Sequence, residues 1–201
     1  MLISFERASN MRDHLLSYDF FDDTSLDRIL PFFEQRVYKK KELLQRAGTI
    51  SQEVYFIHKG CVRSFLLDSD GKEHTILFGT EGYWMGDLQS FTKKSFAAYN
   101  YQSIEDTEVF AINKSSWDLL MREESLFLKY VGILFRNALI VQQERIVELF
   151  TLSAEERYEK LKLSRRDLLN RVPQKHIASY IGITPEFLSQ IRKNQSSFPS
   201  N

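Results

Sequence analysis

Between Val37 and Ile112 the chain is cut into short apolar runs punctuated by glycine; from Ser115 onward apolar residues recur three and four apart. Alternation suits a strand and a 3.6-residue repeat suits a helix, so one backbone cannot satisfy both. The chain must therefore build a β part and then an α part. In the first, Val54-Tyr55-Phe56-Ile57 forms one run that Gly60 ends, and Cys61 to Leu67 forms another. Asp70-Gly71 separates that run from Glu73 to Phe78, a strong hairpin signal. Tyr99 to Ile112 reads as a further hairpin turning at Glu105-Asp106. Many short strands with glycine turns predict a rolled or closed antiparallel sheet. Ahead of it, residues 10–36 read as short helices, with Asp22, Asp23 or Thr24 as N-caps.

In the α part, Ser115 or Ser116 can cap a helix through Trp117, Leu119 and Leu120. A long helix follows over roughly 126–150, with two apolar stripes. Phe127, Val131, Leu134, Ala138 and Val141 have the spacing of a coiled-coil seam. Leu128, Phe135, Leu139, Ile146 and Leu149 form the other. Two stripes need two burial partners, and we assign the first-named seam to the same helix of a second copy. Ser153-Ala154-Glu155-Glu156 is a capping box that restarts a helix after a break at Thr151-Leu152.

Composition narrows the class. The 201 residues are 43% hydrophobic and 27% charged with zero net charge, which excludes disorder of the whole chain. The single cysteine, Cys61, excludes a disulfide framework and any four-cysteine zinc or iron–sulfur site within one chain. Cys61 itself reads as a buried apolar residue. With no run of 18 apolar residues and no signal-peptide pattern in MLISFERASNMRDHLL, we expect no membrane span and a cytoplasmic protein. Residues 151–201 carry nine bases against five acids, while the rest of the chain is net acidic. A basic end on an acidic body points to a polyanionic partner.

The segment Gln174 to Lys193, QKHIASYIGITPEFLSQIRK, reads as two short helices around a turn at Gly182. Counting from Gln174, Ala178 is fifth, where a crossing helix demands a small side chain. Gly182 is ninth, where a tight turn favours positive φ. Leu188 and Ile191, fifteenth and eighteenth, anchor the second helix, with Ile177 and Ile181 as further inward contacts. Thr184 can cap the second helix, followed by Pro185 at its first position and Glu186 in its first turn. Together these specify a helix-turn-helix. Its outward residues are Thr184, Pro185, Glu186, Ser189, Gln190, Arg192 and Lys193, joined by Gln174 and Lys175 at the start of the first helix. Such side chains read base edges and phosphates of double-stranded DNA.

A roll, a long helix and a C-terminal helix-turn-helix, in that order, resemble the Crp/Fnr superfamily of transcription regulators, and the branch common in Bacteroidetes above all. The resemblance rests on Tyr55 to Arg63, Asp70-Gly71-Lys72-Glu73, Gly86-Asp87, Glu105 to Ile112, Ser153 to Arg157 and the helix-turn-helix. It implies an α+β fold. A cyclic-nucleotide-binding-like jelly roll with N-terminal helices occupies 1–114, helices including the dimerisation helix occupy 115–150, and the DNA-binding domain occupies 151–201. It further implies a homodimer on an operator whose half-sites lie about 34 Å apart, RNA polymerase as a partner, and a small-molecule effector in the roll. By the same resemblance the effector pocket comprises Gly86, Asp87, Lys93, Lys94, Ala97 and Ala98. Members that bind cyclic AMP carry an Arg and a Ser or Thr where Ala97 and Ala98 stand here. Alanine offers no charge-assisted contact to a phosphate, so cyclic AMP is not the expected effector. In the recognition helix the family's Arg-Glu-x-x-x-Arg reads Pro185 to Gln190, keeping only Glu186. The tail NQSSFPSN is too short for the family's C-terminal wing.

No nucleophile elbow, P-loop or dinucleotide fingerprint is present, so we expect no enzyme. The alternative is a cupin-like roll that binds a ligand or a metal through His58 and His74 and does not bind DNA. The incomplete ligand pattern argues against a metal.

Overall fold

The computed structural model describes residues 11–196. Two short helices open the described chain: α1 (Met11–Leu16) and α2 (Asp23–Ile29), the latter running into a 3-10 turn over Leu30–Phe32. Of the three candidate caps, Asp22 is the one used, closing a reciprocal capping box with Ser25.

The β region follows. Its strands are β1 (Glu34–Tyr38), β2 (Leu43–Gln45), β3 (Glu53–Lys59), β4 (Val62–Leu67), β5 (Glu73–Gly79), β6 (Trp84–Met85), β7 (Asn100–Ser103) and β8 (Thr107–Asn113). Helix α3 (Leu88–Lys93) lies between β6 and β7. The strands form two four-stranded sheets, ordered β1-β8-β3-β6 and β2-β7-β4-β5. The Asp70-Gly71 hairpin joins β4 to β5 as expected, with Gly71 at φ +77°. The Tyr99–Ile112 hairpin does not form. β7 pairs with β2 and β4, while β8 pairs with β1 and β3 in the other sheet. Alternation reports which residues point inward but not which strand lies alongside, so two sequential strands look alike whether they pair or part. The sheet change near Gly60 is equally hidden. There φ is +108° and an added Cβ would stand 2.5 Å from Thr107 Oγ1.

Alternation along β3 and β8 sets the layers. Tyr55, Ile57, Val109 and Ala111 join Leu44, Val62, Met85 and Tyr101 in one core. Val54, Phe56, Ile112 and the partly buried Phe110 face the opposite way, into a second core with α1, α2 and the helices that follow. Those are α4 (Lys114–Glu123) and the 27-residue α5 (Ser125–Thr151). The cap of α4 is Asn113, which accepts the Ser116 amide at 2.9 Å; neither Ser115 nor Ser116 serves.

Helices α6 (Ala154–Ser164), α7 (Arg166–Arg171), α8 (Gln174–Ile181) and α9 (Pro185–Ser196) complete the described chain. The Ser153 capping box forms, so the break after Thr151 is real. Packing divides the chain elsewhere. One compact unit comprises Met1–Leu66 and Leu77–Phe135, and the other comprises Leu67–Ile76 and Arg136–Asn201. The division thus falls inside continuous helix α5, and the tip of the β4–β5 hairpin belongs with the C-terminal helices. The first ten and last five residues, including most of the tail on which the missing wing was read, lie outside the described residues.

Candidate nucleic-acid interface and effector loop

The helix-turn-helix assembles from local rules. Pro173 precedes α8, and Gly182 ends it in the left-handed conformation at φ +79°. The turn hands the chain to Thr184, whose Oγ1 accepts the Phe187 amide at 3.2 Å and caps α9. Ile177, Ala178, Ile181, Leu188 and Ile191 are all buried, so every inward position lies where the spacing put it. Arg157 braces the end of α8, donating to the Ile181 carbonyl at 2.9 Å and to the Leu152 carbonyl at 2.6 Å. All nine outward candidates, Gln174, Lys175, Thr184, Pro185, Glu186, Ser189, Gln190, Arg192 and Lys193, are exposed. Ser189 Oγ donates back to the Pro185 carbonyl at 3.0 Å.

Sequence reasoning missed what lies in front of this face. Thr184, Pro185, Glu186 and Lys175 line a cleft of about 470 Å³ whose other side is Lys72, Glu73 and His74 of the β4–β5 hairpin. The hairpin is tied to α8 through Ser179. Its Oγ accepts the Thr75 amide at 2.9 Å and donates to the Glu73 carbonyl at 3.2 Å. Arg145 of α5 spans the same junction, donating to the carbonyls of Ile76 and, at 3.0 Å, Tyr180. Its guanidinium lies 3.9 Å from the centre of the Tyr180 ring. Arg145 sits among Gln142, Gln143, Glu144 and Glu148, so nothing in the sequence singled it out.

The effector-loop candidates are built differently. Gly86 has no room for a side chain, since a Cβ would stand 2.7 Å from Val54 Cγ1. Asp87 is buried, and both its oxygens are used. Oδ1 accepts the Ser90 amide at 3.0 Å, capping α3, and Oδ2 accepts the Ala98 amide at 2.8 Å. Ala97 is buried, and its backbone pairs with Gly48 and Thr49. Lys93 and Lys94 are exposed, with Lys94 in the left-handed cap of α3 at φ +55°. Among the described residues no cation pairs with Asp87.

The long helix also departs from expectation. Phe127 and Val131, assigned to a partner copy, lie at 0% and 1% exposure in the chain's own core, with Leu134 packed against it. The aromatic layer of that core draws them inward. The other stripe is the open one: Leu128, Phe135, Leu139, Ile146 and Leu149 are exposed, as are Ala138, Ile140, Val141, Val147 and Phe150. By length and composition alone α5 is long and apolar enough to cross a membrane.

His74 bonds Asp68 at 2.6 Å, which holds the Asp68 carboxyl below its usual range, and His58 packs against Phe110. Among the described residues no three His, Cys, Asp or Glu side chains gather as a metal site, and Cys61 is buried. His14, unremarked in the sequence, is buried with Nε2 2.8 Å from the Tyr130 hydroxyl, which also accepts the Trp84 indole N–H at 2.8 Å. Burial pulls the His14 pKa down to about 4.

The cyclic nucleotide-binding domain family matches residues 35–124. The regulator CLP of Xanthomonas campestris, described as c-di-GMP responsive, superposes with a TM-score of 0.70 at 16% identity over 88% of this chain and 92% of its own. FixK2 of Bradyrhizobium japonicum gives 0.71 at 18% identity, over 84% and 89%. The chain has the Crp/Fnr fold. Among sequence relatives, the anaerobic regulatory protein of Aggregatibacter actinomycetemcomitans is 25% identical over 83% of this chain and 67% of its own. The regulatory protein HlyX of Actinobacillus pleuropneumoniae is 23% identical over 84% and 73%. The anaerobic regulatory protein of Bacillus subtilis is 32% identical over 81 residues, which span only 34% of that protein. These relatives are regulators, not enzymes.

Proposed function

We infer that this chain regulates transcription in the cytoplasm as a DNA-binding homodimer, inserting α9 into the major groove of each half-site about 34 Å apart. The observation that carries the reading is the helix-turn-helix itself. Its five inward residues are buried, its turn glycine is left-handed, and its nine candidate DNA contacts are exposed. Glu186 is suited to accept from a cytosine amine, Gln190 and Ser189 to bond base edges, and Lys175, Arg192 and Lys193 to take phosphates. Dimerisation through α5 is supported by its exposed apolar residues from Phe135 to Phe150, a surface too apolar to stay in water. Ala138 and Val141 of the predicted seam remain in that interface, with Leu139, Ile146 and Leu149 replacing Phe127 and Val131. The charges at Arg136, Glu144, Arg145 and Glu148 favour this over a membrane span.

The effector, if the roll takes one, is not cyclic AMP. Each Asp87 oxygen already accepts a backbone amide, and the Ala97 and Ala98 side chains supply no phosphate ligand. RNA polymerase is the further partner that this reading implies. Selection of bound duplexes from a random library tests it. Enrichment of an inverted repeat with half-sites one turn apart is expected. A lack of enrichment, both alone and with cell extract as effector source, would leave the ligand-binding roll without DNA binding as the better account.

A further inference from the structure

We propose that Lys72 of the β4–β5 hairpin contacts a backbone phosphate of the operator, carrying the DNA-binding surface beyond the helix-turn-helix to a second stretch of chain. This rests on the DNA-binding reading above. The hairpin serves as a mount for that lysine. The Asp68 carboxylate folds the turn: Oδ1 accepts the amides of Asp70 at 3.0 Å and Lys72 at 2.9 Å, while Oδ2 lies 2.6 Å from His74 Nε2. The Lys72 carbonyl accepts the Asp68 amide at 3.1 Å. Both backbone groups of Lys72 are therefore engaged. Just beyond it, Ser179 of α8 bonds the Glu73 carbonyl and the Thr75 amide. Together these bonds fix where the Lys72 side chain starts.

It starts beside the residues that would read the operator. Lys72 is exposed and lines one cleft with Lys175, Thr184, Pro185 and Glu186, four of the nine candidate DNA contacts. A recognition helix puts its N-terminal residues on the base edges, so a group beside that end stands over the groove wall, where the phosphates run. The acids in the cleft walls are Glu73 and Glu186, yet among the described residues neither Lys72 nor Lys175 pairs with a carboxylate. Such an ammonium gives up no ion pair on meeting a phosphate, and the contact releases counterions from the duplex. The flexible four-carbon stem of lysine supplies the reach, and a phosphate takes its ammonium as a point charge, without a fixed fork geometry.

The test is binding of full-length protein to the duplexes recovered from the random library, across a salt series. Lys72→Gln removes the charge at an exposed position, so a loss reports binding and not folding. It is expected to weaken every duplex alike, about 5-fold, and to lower the salt slope by about 1, with base preference unchanged. Lys72→Arg, which restores the charge, is expected to bind as wild type. Lys59→Gln removes the same charge from an exposed site outside the cleft and is expected to leave the slope unchanged. Ethylation interference locates the contact: one phosphate per half-site is expected to impair wild type when ethylated and to have no effect on Lys72→Gln. Wild-type affinity and slope in Lys72→Gln, or an ethylation pattern identical to that of wild type, would overturn the Lys72 contact while leaving DNA binding intact. A wild type that enriches no duplex would instead overturn the DNA-binding reading and the contact with it.

Discussion

The loop from Gly86 to Ala98 and the turn from Gly182 to Glu186 both match a Crp/Fnr motif, yet they use their polar groups in opposite ways. In the loop, Asp87 is buried and each oxygen accepts a backbone amide, from Ser90 and from Ala98. In the turn, Thr184 makes one local capping bond, while Glu186, Gln190 and Lys193 remain exposed. A motif of polar groups can be engaged inside the chain or left open to a ligand. The hydrogen-bond inventory separates the two cases, because a group already satisfied inside the protein has little left to give a ligand. By that measure the loop is a structural closure, while the helix-turn-helix keeps the exposed groups that the proposed function requires of a working surface.

The sharpest way to break this contrast is to remove Asp87. Asp87→Ala would leave the buried Ser90 amide unpaired and the amide of exposed Ala98 without its acceptor, and should lower stability by about 2 kcal/mol, read by denaturant unfolding. A loss below 1 kcal/mol would return Asp87 to the list of free ligand groups. Acidification sets the roll apart next. His14 is neutral when folded because burial depresses its pKa to about 4, while the unfolded residue titrates near 6.5. The unfolded chain therefore binds the extra proton first. The His14 contribution is present above about pH 6.5 and lost as pH falls toward 4, by about 3 kcal/mol in all. Urea midpoints across that range should show the fall, and a flat profile would contradict it.

The working surface should respond in the reverse sense. Glu186→Ala should leave stability within about 0.5 kcal/mol and relax preference at one base pair by about 2 kcal/mol, measured on a panel of single-base operator variants. An unchanged preference would remove Glu186 from the base contacts. Gly182→Ala meets no neighbour within 4 Å, so its cost is the left-handed φ alone, about 1 kcal/mol in thermal unfolding. The smallest effect belongs to Lys193→Ala. It should weaken all duplexes alike and reduce the salt slope of binding by about 1 if it meets a phosphate.

How far the sequence carried these assignments depended on how local the determining physics is. The capping box at Ser153, the turn at Gly182 and the inward residues of α8 and α9 are set by neighbours within a few positions, and they were readable, whereas the cap at Asp22 was one of three left open. Non-local pairing was not. Nothing in Tyr99 to Ile112 says that β7 and β8 belong to different sheets. The two stripes of α5 are equally apolar, so the pattern could not tell which faces the chain's own core. The aromatic layer around Tyr130 settles it, and that layer draws on residues from Met11 to Val131. Likewise, Gly86-Asp87 is visible as a motif, but the occupancy of the carboxylate depends on Ala98, eleven positions away. The tie of Ser179 to the hairpin joins residues more than a hundred positions apart.

Strand order carries a consequence for the time course of folding. β1 pairs with β8, Glu34 lying opposite Ala111, so the first sheet cannot close until more than a hundred residues have emerged from the ribosome. The core around Met11 and Leu15 waits longer still, for Tyr130 and Val131. Helices α8 and α9 meet across a turn of three residues and need almost no loop closure. In refolding, amides of α8 and α9 should gain exchange protection well before those of β1. The helix-turn-helix would then be shaped while the roll is still searching for its register.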